Sequence, residues 1–104
     1  MSLSISSKNF SFIYNNGVVI KTPQILYRVA FSSSSLGGVG FIVGRRLGSA
    51  CQRNLFRRRM RSLYGEFFKN QKKIDVIIVP KTINLGWKDM RNSFKFMVNR
   101  AYDF

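Results

Sequence analysis

Residues Ser49 to about Asn70 suit one long helix, and that helix carries two stripes with opposite needs. Phe56, Met60, Leu63 and Phe67 recur at i, i+4, i+7 and i+11, within about 60° of arc at 3.6 residues per turn. Arg53, Arg57, Arg61 and Arg58 fill the adjacent arc of about 140°. The first stripe must be buried against other elements; the second must stay in water or meet an anion. Ser49-Ala-Cys-Gln52 has the S-x-x-Q form of a capping box, which sets the helix start. Gly65 interrupts the interior at a cost of about 1 kcal/mol relative to alanine.

The cationic stripe belongs to a longer run. Gly44 to Arg61 holds seven arginines in eighteen positions and no acid. Surfaces usually mix the two signs, because like charges held close repel. Arg45, Arg46 and Arg53 crowd the positive end of the helix dipole, where each cation is unfavourable by about a few tenths of a kcal/mol. Free backbone N–H groups at that end, joined by guanidinium groups, make a phosphate site. The chain has 18 basic and 4 acidic residues, a net +14. Residues 45–73 hold ten of the bases and one acid, Glu66, so +9 of the charge lies in under a third of the chain. A polyanion fits this arrangement, and nucleic acid is the partner it implies.

Other chemistries lack their parts. With no histidine, Cys/His zinc sites and histidine acid–base catalysis are excluded. The one cysteine, Cys51, forms no internal disulfide, fits a reducing compartment and reads as inert packing beside the helix start. Glu66, Asp75, Asp89 and Asp103 are scattered, so no catalytic carboxylate pair and no metal site are expected. No apolar run approaches membrane-spanning length, and the first residues lack the layout of a signal peptide. A cytoplasmic location is expected.

At 104 residues and 45% hydrophobic, the chain suits one domain spanning 1–104, with residues 1–6 disordered. Ser6 or Ser7 caps a short helix through Phe10 and Tyr14, closed by Asn15-Asn16-Gly17, although Phe10 to Tyr14 also alternates like a strand. Val18–Ile20 and Gln24–Phe31 read as extended around Pro23. In the second, Ile25, Tyr27, Val29 and Phe31 share one face, and Leu26, Arg28 and Ala30 the other. Ser32–Gly38 reads as a flexible hairpin connection, and Val39–Val43 as an apolar strand in the middle of a sheet. After a basic loop, Gly44–Gly48, and the long helix comes a buried strand, Ile74–Val79, ended by Pro80. Leu85–Tyr102 is helical, with Trp87, Met90, Phe94, Met97 and Ala101 on one face and Phe96 at the core rim. The fold class is α+β, an α/β sandwich in the order α-β-β-β-α-β-α.

The segment GVGFIVGRRLGSACQRNLFRRRMR, Gly38 to Arg61, resembles the bacterial ribonuclease P protein component. That family has a buried strand, two basic residues, a Gly-Asn turn and a helix opening on Arg-Asn-Arg. Phe10 and Tyr14 stand where it has two aromatics one helical turn apart, and the remaining strands and closing helix follow in family order. Two positions depart: Gly48-Ser49 replaces Gly-Asn, and Arg53-Asn54-Leu55 replaces Arg-Asn-Arg. The resemblance implies a left-handed β-α-β crossover through the long helix. It also implies an accessory subunit that binds the catalytic ribonuclease P RNA and assists cleavage of the 5′ leader from precursor tRNA. Its partners are that RNA and precursor tRNA, and the free protein is expected to be monomeric. The RNA and its Mg²⁺ ions carry the chemistry, so no protein group is expected to be catalytic. Arg45, Arg46, Arg53, Asn54, Arg57, Arg58 and Arg61 would contact the RNA. In the family a cleft between the first helix and one sheet face holds the single-stranded leader, and Phe10, Tyr14 and Tyr27 would supply its aromatic surface.

Two other classes compete. A ribosomal or other structural RNA-binding protein shares the charge and size but leaves the aromatic pair and the ordered basic motif without a use. A cationic membrane-active protein needs a broad apolar helix face free for lipid, whereas the intervening strands require that face for a core.

Overall fold

The computed structural model describes residues 7–31, 37–68 and 74–102. The elements run α1 (Ser7–Asn16), β1 (Val18–Lys21), β2 (Ile25–Phe31), β3 (Val39–Phe41), α2 (Ala50–Phe67), β4 (Ile74–Pro80) and α3 (Trp87–Ala101), with a 3₁₀ turn at Arg45–Leu47. Residues 1–6, expected to be disordered, lie outside the described residues.

Helix wins over strand in α1 because its last carbonyls find donors. Gly17 N–H donates to Ile13 O at 2.7 Å and Arg28 Nη1 to Tyr14 O at 2.9 Å, while the side-chain amides of Asn15 and Asn16 add second donors to the Ser11 and Phe12 carbonyls, each at 3.0 Å. A Cβ on Gly17 would stand 2.6 Å from that Ile13 oxygen, so only glycine lets the chain turn directly into β1.

The four strands form one sheet in the order β1-β2-β4-β3. β2 pairs antiparallel with β1 and β4, and β3 runs parallel to β4. Two expectations need correction. The β2–β3 connection is not a hairpin, because β4 lies between those strands. β3 is an edge strand, not a central one. Its apolar residues serve one face, Val39 in the core and Phe41 packed against it, while Ile42 just beyond is 38% exposed. The central place belongs to β4, buried along nearly its whole length.

Alternation divides the sheet's two faces. Ile25, Tyr27 and Val29 of β2 and Ile74, Val76 and Ile78 of β4 join Phe56, Met60 and Leu63 of α2 and Met90, Phe94 and Met97 of α3 in one core. α1 lies over β2 and β4 on the opposite face, where Ile13 and Ile77 are buried apart from that core. The result is three layers: α1, the sheet, and the α2–α3 pair. Trp87 and Phe96 stand outside the packing, 42% and 48% exposed. Cys51 is exposed, which corrects its reading as packing.

A chain of hydroxyls fastens α3 to the sheet. Thr22 Oγ1 lies 2.9 Å from the Ile25 carbonyl, 2.7 Å from Ser93 Oγ and 3.2 Å from the Ile25 N–H that it accepts. Ser93 Oγ is in turn 2.9 Å from Tyr27 Oη. Each hydroxyl has one proton. If Thr22 gives its proton to the carbonyl, Ser93 donates to Thr22 and Tyr27 to Ser93, and every member is satisfied.

Candidate nucleic-acid interface

The capping box forms as the sequence requires: Ser49 Oγ accepts from Gln52 N–H at 3.1 Å, and Gln52 Oε1 accepts from Ser49 N–H at 2.8 Å. Gly48 makes room for it, since a Cβ there would stand 2.7 Å from Gln52 Oε1 and 2.9 Å from Ile83 Cδ1. The cap fixes where α2 begins, and hence which residues share its outer stripe.

Arg45 and Arg46 are exposed on the 3₁₀ turn before α2, and Asn54, Arg58 and Arg61 are exposed along it. Arg53 and Arg57 are half-buried at the stripe's inner edge. Their contacts orient them without neutralising them. Arg53 Nε donates to Gly48 O at 3.2 Å, Arg57 Nη1 donates to Asn54 Oδ1 at 3.0 Å, and the Arg61 guanidinium lies 5.1 Å from the centre of the Phe41 ring. With its oxygen engaged by Arg57, Asn54 presents its NH₂ as a donor beside them. The acid in this part of α2, Glu66, is bound to Arg91 of α3 at 2.5 Å. The stripe therefore remains a row of hydrogen-bond donors with uncompensated positive charge, suited to a phosphate backbone.

A second feature lies between α1 and the sheet. Phe10 is half-buried and Tyr14 is 41% exposed, one turn apart beside the buried Ile13. Arg28 reaches this place from β2. Its guanidinium carbon lies 4.4 Å from the Tyr14 ring centre, and Nη1 donates to the Tyr14 carbonyl at 2.9 Å. Its Nε is buried without a hydrogen-bond partner. Sequence reasoning misses Arg28 as a site residue. The available signal is a lone cation in an otherwise apolar strand, on the face opposite Tyr27.

Tyr27 does not join them, and its expected stacking role is corrected. It is 0% exposed, points toward α3, meets Phe94 edge-on at 6.1 Å and bonds Ser93. Burial pushes its phenol well above the ordinary tyrosine range. No base can reach that ring.

Among the described residues there is no group of three or more metal-ligating side chains, and no helix is long and apolar enough to cross a membrane.

The family model described as Ribonuclease P matches residues 5–102. A ribonuclease P protein component of Kocuria rhizophila is 24% identical over 99 residues, covering 92% of this chain and 88% of the relative. One from Chlamydia trachomatis is 31% identical over 78 residues, covering 74% of this chain and 65% of the relative. Among solved structures, the RNase P protein of Staphylococcus aureus superposes with a TM-score of 0.83 at 19% identity, covering 97% of this chain and 96% of that one. The Thermotoga maritima RNase P protein, in complex with 1-(4-fluorophenyl)-2-thiourea, gives 0.78 at 17% identity over 89% and 94%.

Proposed function

The chain belongs to the ribonuclease P protein family, and from that membership and the geometry above we propose how it works as the protein subunit of that ribonucleoprotein. RNA binding and a part in precursor-tRNA processing follow from the family. The proposal concerns the division of labour. The α2 stripe with Arg45 and Arg46 docks on the ribonuclease P RNA, and the RNA with its Mg²⁺ ions cuts the phosphodiester bond. The α1–sheet cleft holds the single-stranded 5′ leader, with Phe10 and Tyr14 as stacking surfaces and Arg28 as a cation beside them. The β3–α2–β4 crossing is taken to keep the family's left hand, the free protein to be a monomer, and its place of work to be the cytoplasm.

One observation carries this reading: the cationic stripe has no carboxylate partner within the described chain. The acids support leaving catalysis to the RNA, since Glu66 is paired with Arg91 and buried Asp75 holds Gly38 N–H at 2.8 Å. Mg²⁺ prefers clustered oxygen ligands, which these scattered carboxylates do not offer.

Reconstitution with the cognate RNA tests the proposal. Added protein should raise precursor-tRNA cleavage at low Mg²⁺, with the product's 5′ end mapping to the mature terminus. No increase, or cleavage by the protein without RNA, would overturn it.

A further inference from the structure

Arg59 has no place in the stripe. It lies on the other flank of α2, half-buried, and lines a cavity of about 200 Å³. That cavity lies between the first turns of α2 and the Ile83–Leu85 segment leading to α3. Leu55, Phe56, Ile83 and Leu85 give it apolar walls, while Gln52, Arg59 and Asn84 bring polar groups. Two features make the polar groups usable. Gln52 spends its Oε1 on the Ser49 N–H, which leaves its NH₂ to donate, and Asn84 is exposed. The cavity is smaller than the roughly 300–1,000 Å³ of a drug-sized site. It suits a single planar group with an apolar face and a polar edge.

We propose that this cavity receives one unpaired nucleobase of the RNA bound along α2. The inference rests on the RNA-docking reading above and adds a base to the phosphates which that reading engages. Charge complementarity selects the occupant. Asn54 and Arg58 of the stripe adjoin Leu55 around the helix, so a strand tracking those donors passes the mouth. A base turned out of its stack would meet Leu55 and Leu85, both half-buried, with its face, and the amides of Gln52 and Asn84 with its edge. Arg59 then stacks on the base or holds the flanking phosphate. The departure at Leu55 acquires a use here: an arginine at that position would place a charge against the apolar wall.

The test uses the full chain and the ribonuclease P RNA. Asn84→Cys in a Cys51→Ser background, carrying a photoreactive aryl azide, should crosslink to one unpaired nucleotide of that RNA. Making that nucleotide abasic should weaken binding of the unmodified protein about tenfold. Leu55→Trp, which fills the cavity, should weaken binding of the intact RNA to a similar extent with the salt slope unchanged. It should lose little more with the abasic RNA, as expected for two changes that remove the same interaction. Crosslinks scattered over the RNA or confined to precursor tRNA would overturn the proposal, as would an abasic RNA bound with undiminished affinity; that last arm does not depend on how the variants fold. Failure of the unmodified protein to bind the RNA at all would instead remove the docking reading, and this one with it.

Discussion

Arg28 meets three demands at one position: it satisfies one C-terminal carbonyl of α1, that of Tyr14, lies against the Tyr14 ring, and puts a cation under a helix whose dipole ends there. Tyr27, its neighbour in sequence, has an unrelated task on the other side of the sheet. The two faces predict opposite phenotypes. Tyr27→Phe removes the first donor of the hydroxyl chain and should cost about 1 kcal/mol of stability, read from the urea midpoint, with leader binding unchanged. Phe10→Ala should weaken binding of leader-bearing precursor tRNA and leave mature tRNA and RNA docking nearly untouched; equal losses for both substrates would assign Phe10 to packing. The sequence shows by alternation that Tyr27 and Arg28 face opposite ways. It does not show which face α1 covers, because that depends on packing between α1 and strands remote from it.

At the scale of elements, α2 is the most legible part. Its capping box, its apolar stripe of Phe56, Met60 and Leu63 and its arginine flank all follow from spacing within a few turns. Strand existence is similarly legible, because Gly, Pro and serine runs punctuate the apolar segments. Strand order is not. β4 enters between β2 and β3, pairing Tyr27 with Ile78 and Val39 with Val76, and no local pattern in a three-residue strand separates an edge from a centre. The α2 stripe supports a quantitative prediction. Arg57→Ala with Arg61→Ala should weaken RNA binding and flatten its salt dependence by about one unit of log–log slope for each phosphate no longer neutralised. Titrations across salt concentrations check it, and an unchanged slope would take both residues out of the interface.

For the whole molecule, the absence of histidine and the buried phenols shape the response to pH. Burial raises the phenols of Tyr27 and Tyr64, the latter pushed further by the Asp75 carboxylate and by Tyr102. Below the ordinary tyrosine value of about 10, both phenols stay protonated whether the chain is folded or not, and they add no pH dependence. Above it the unfolded chain releases protons that the folded one retains, so stability falls as pH rises. Urea midpoints should be nearly flat from about pH 7 to 9 and drop above about pH 10; a midpoint that rises there would contradict the burial of these rings. The three layers have a mechanical corollary. α1 and the arginine flank of α2 lie on opposite sides of one hydrogen-bonded sheet, so anything held on both sides is kept at a separation set by the thickness of the protein. If α1 holds the leader and the α2 flank the RNA, as proposed, the domain serves as a gauge block between them, and Ser93→Ala, which loosens the hydroxyl fastening of α3, should scatter the mapped 5′ ends of the product before it abolishes binding.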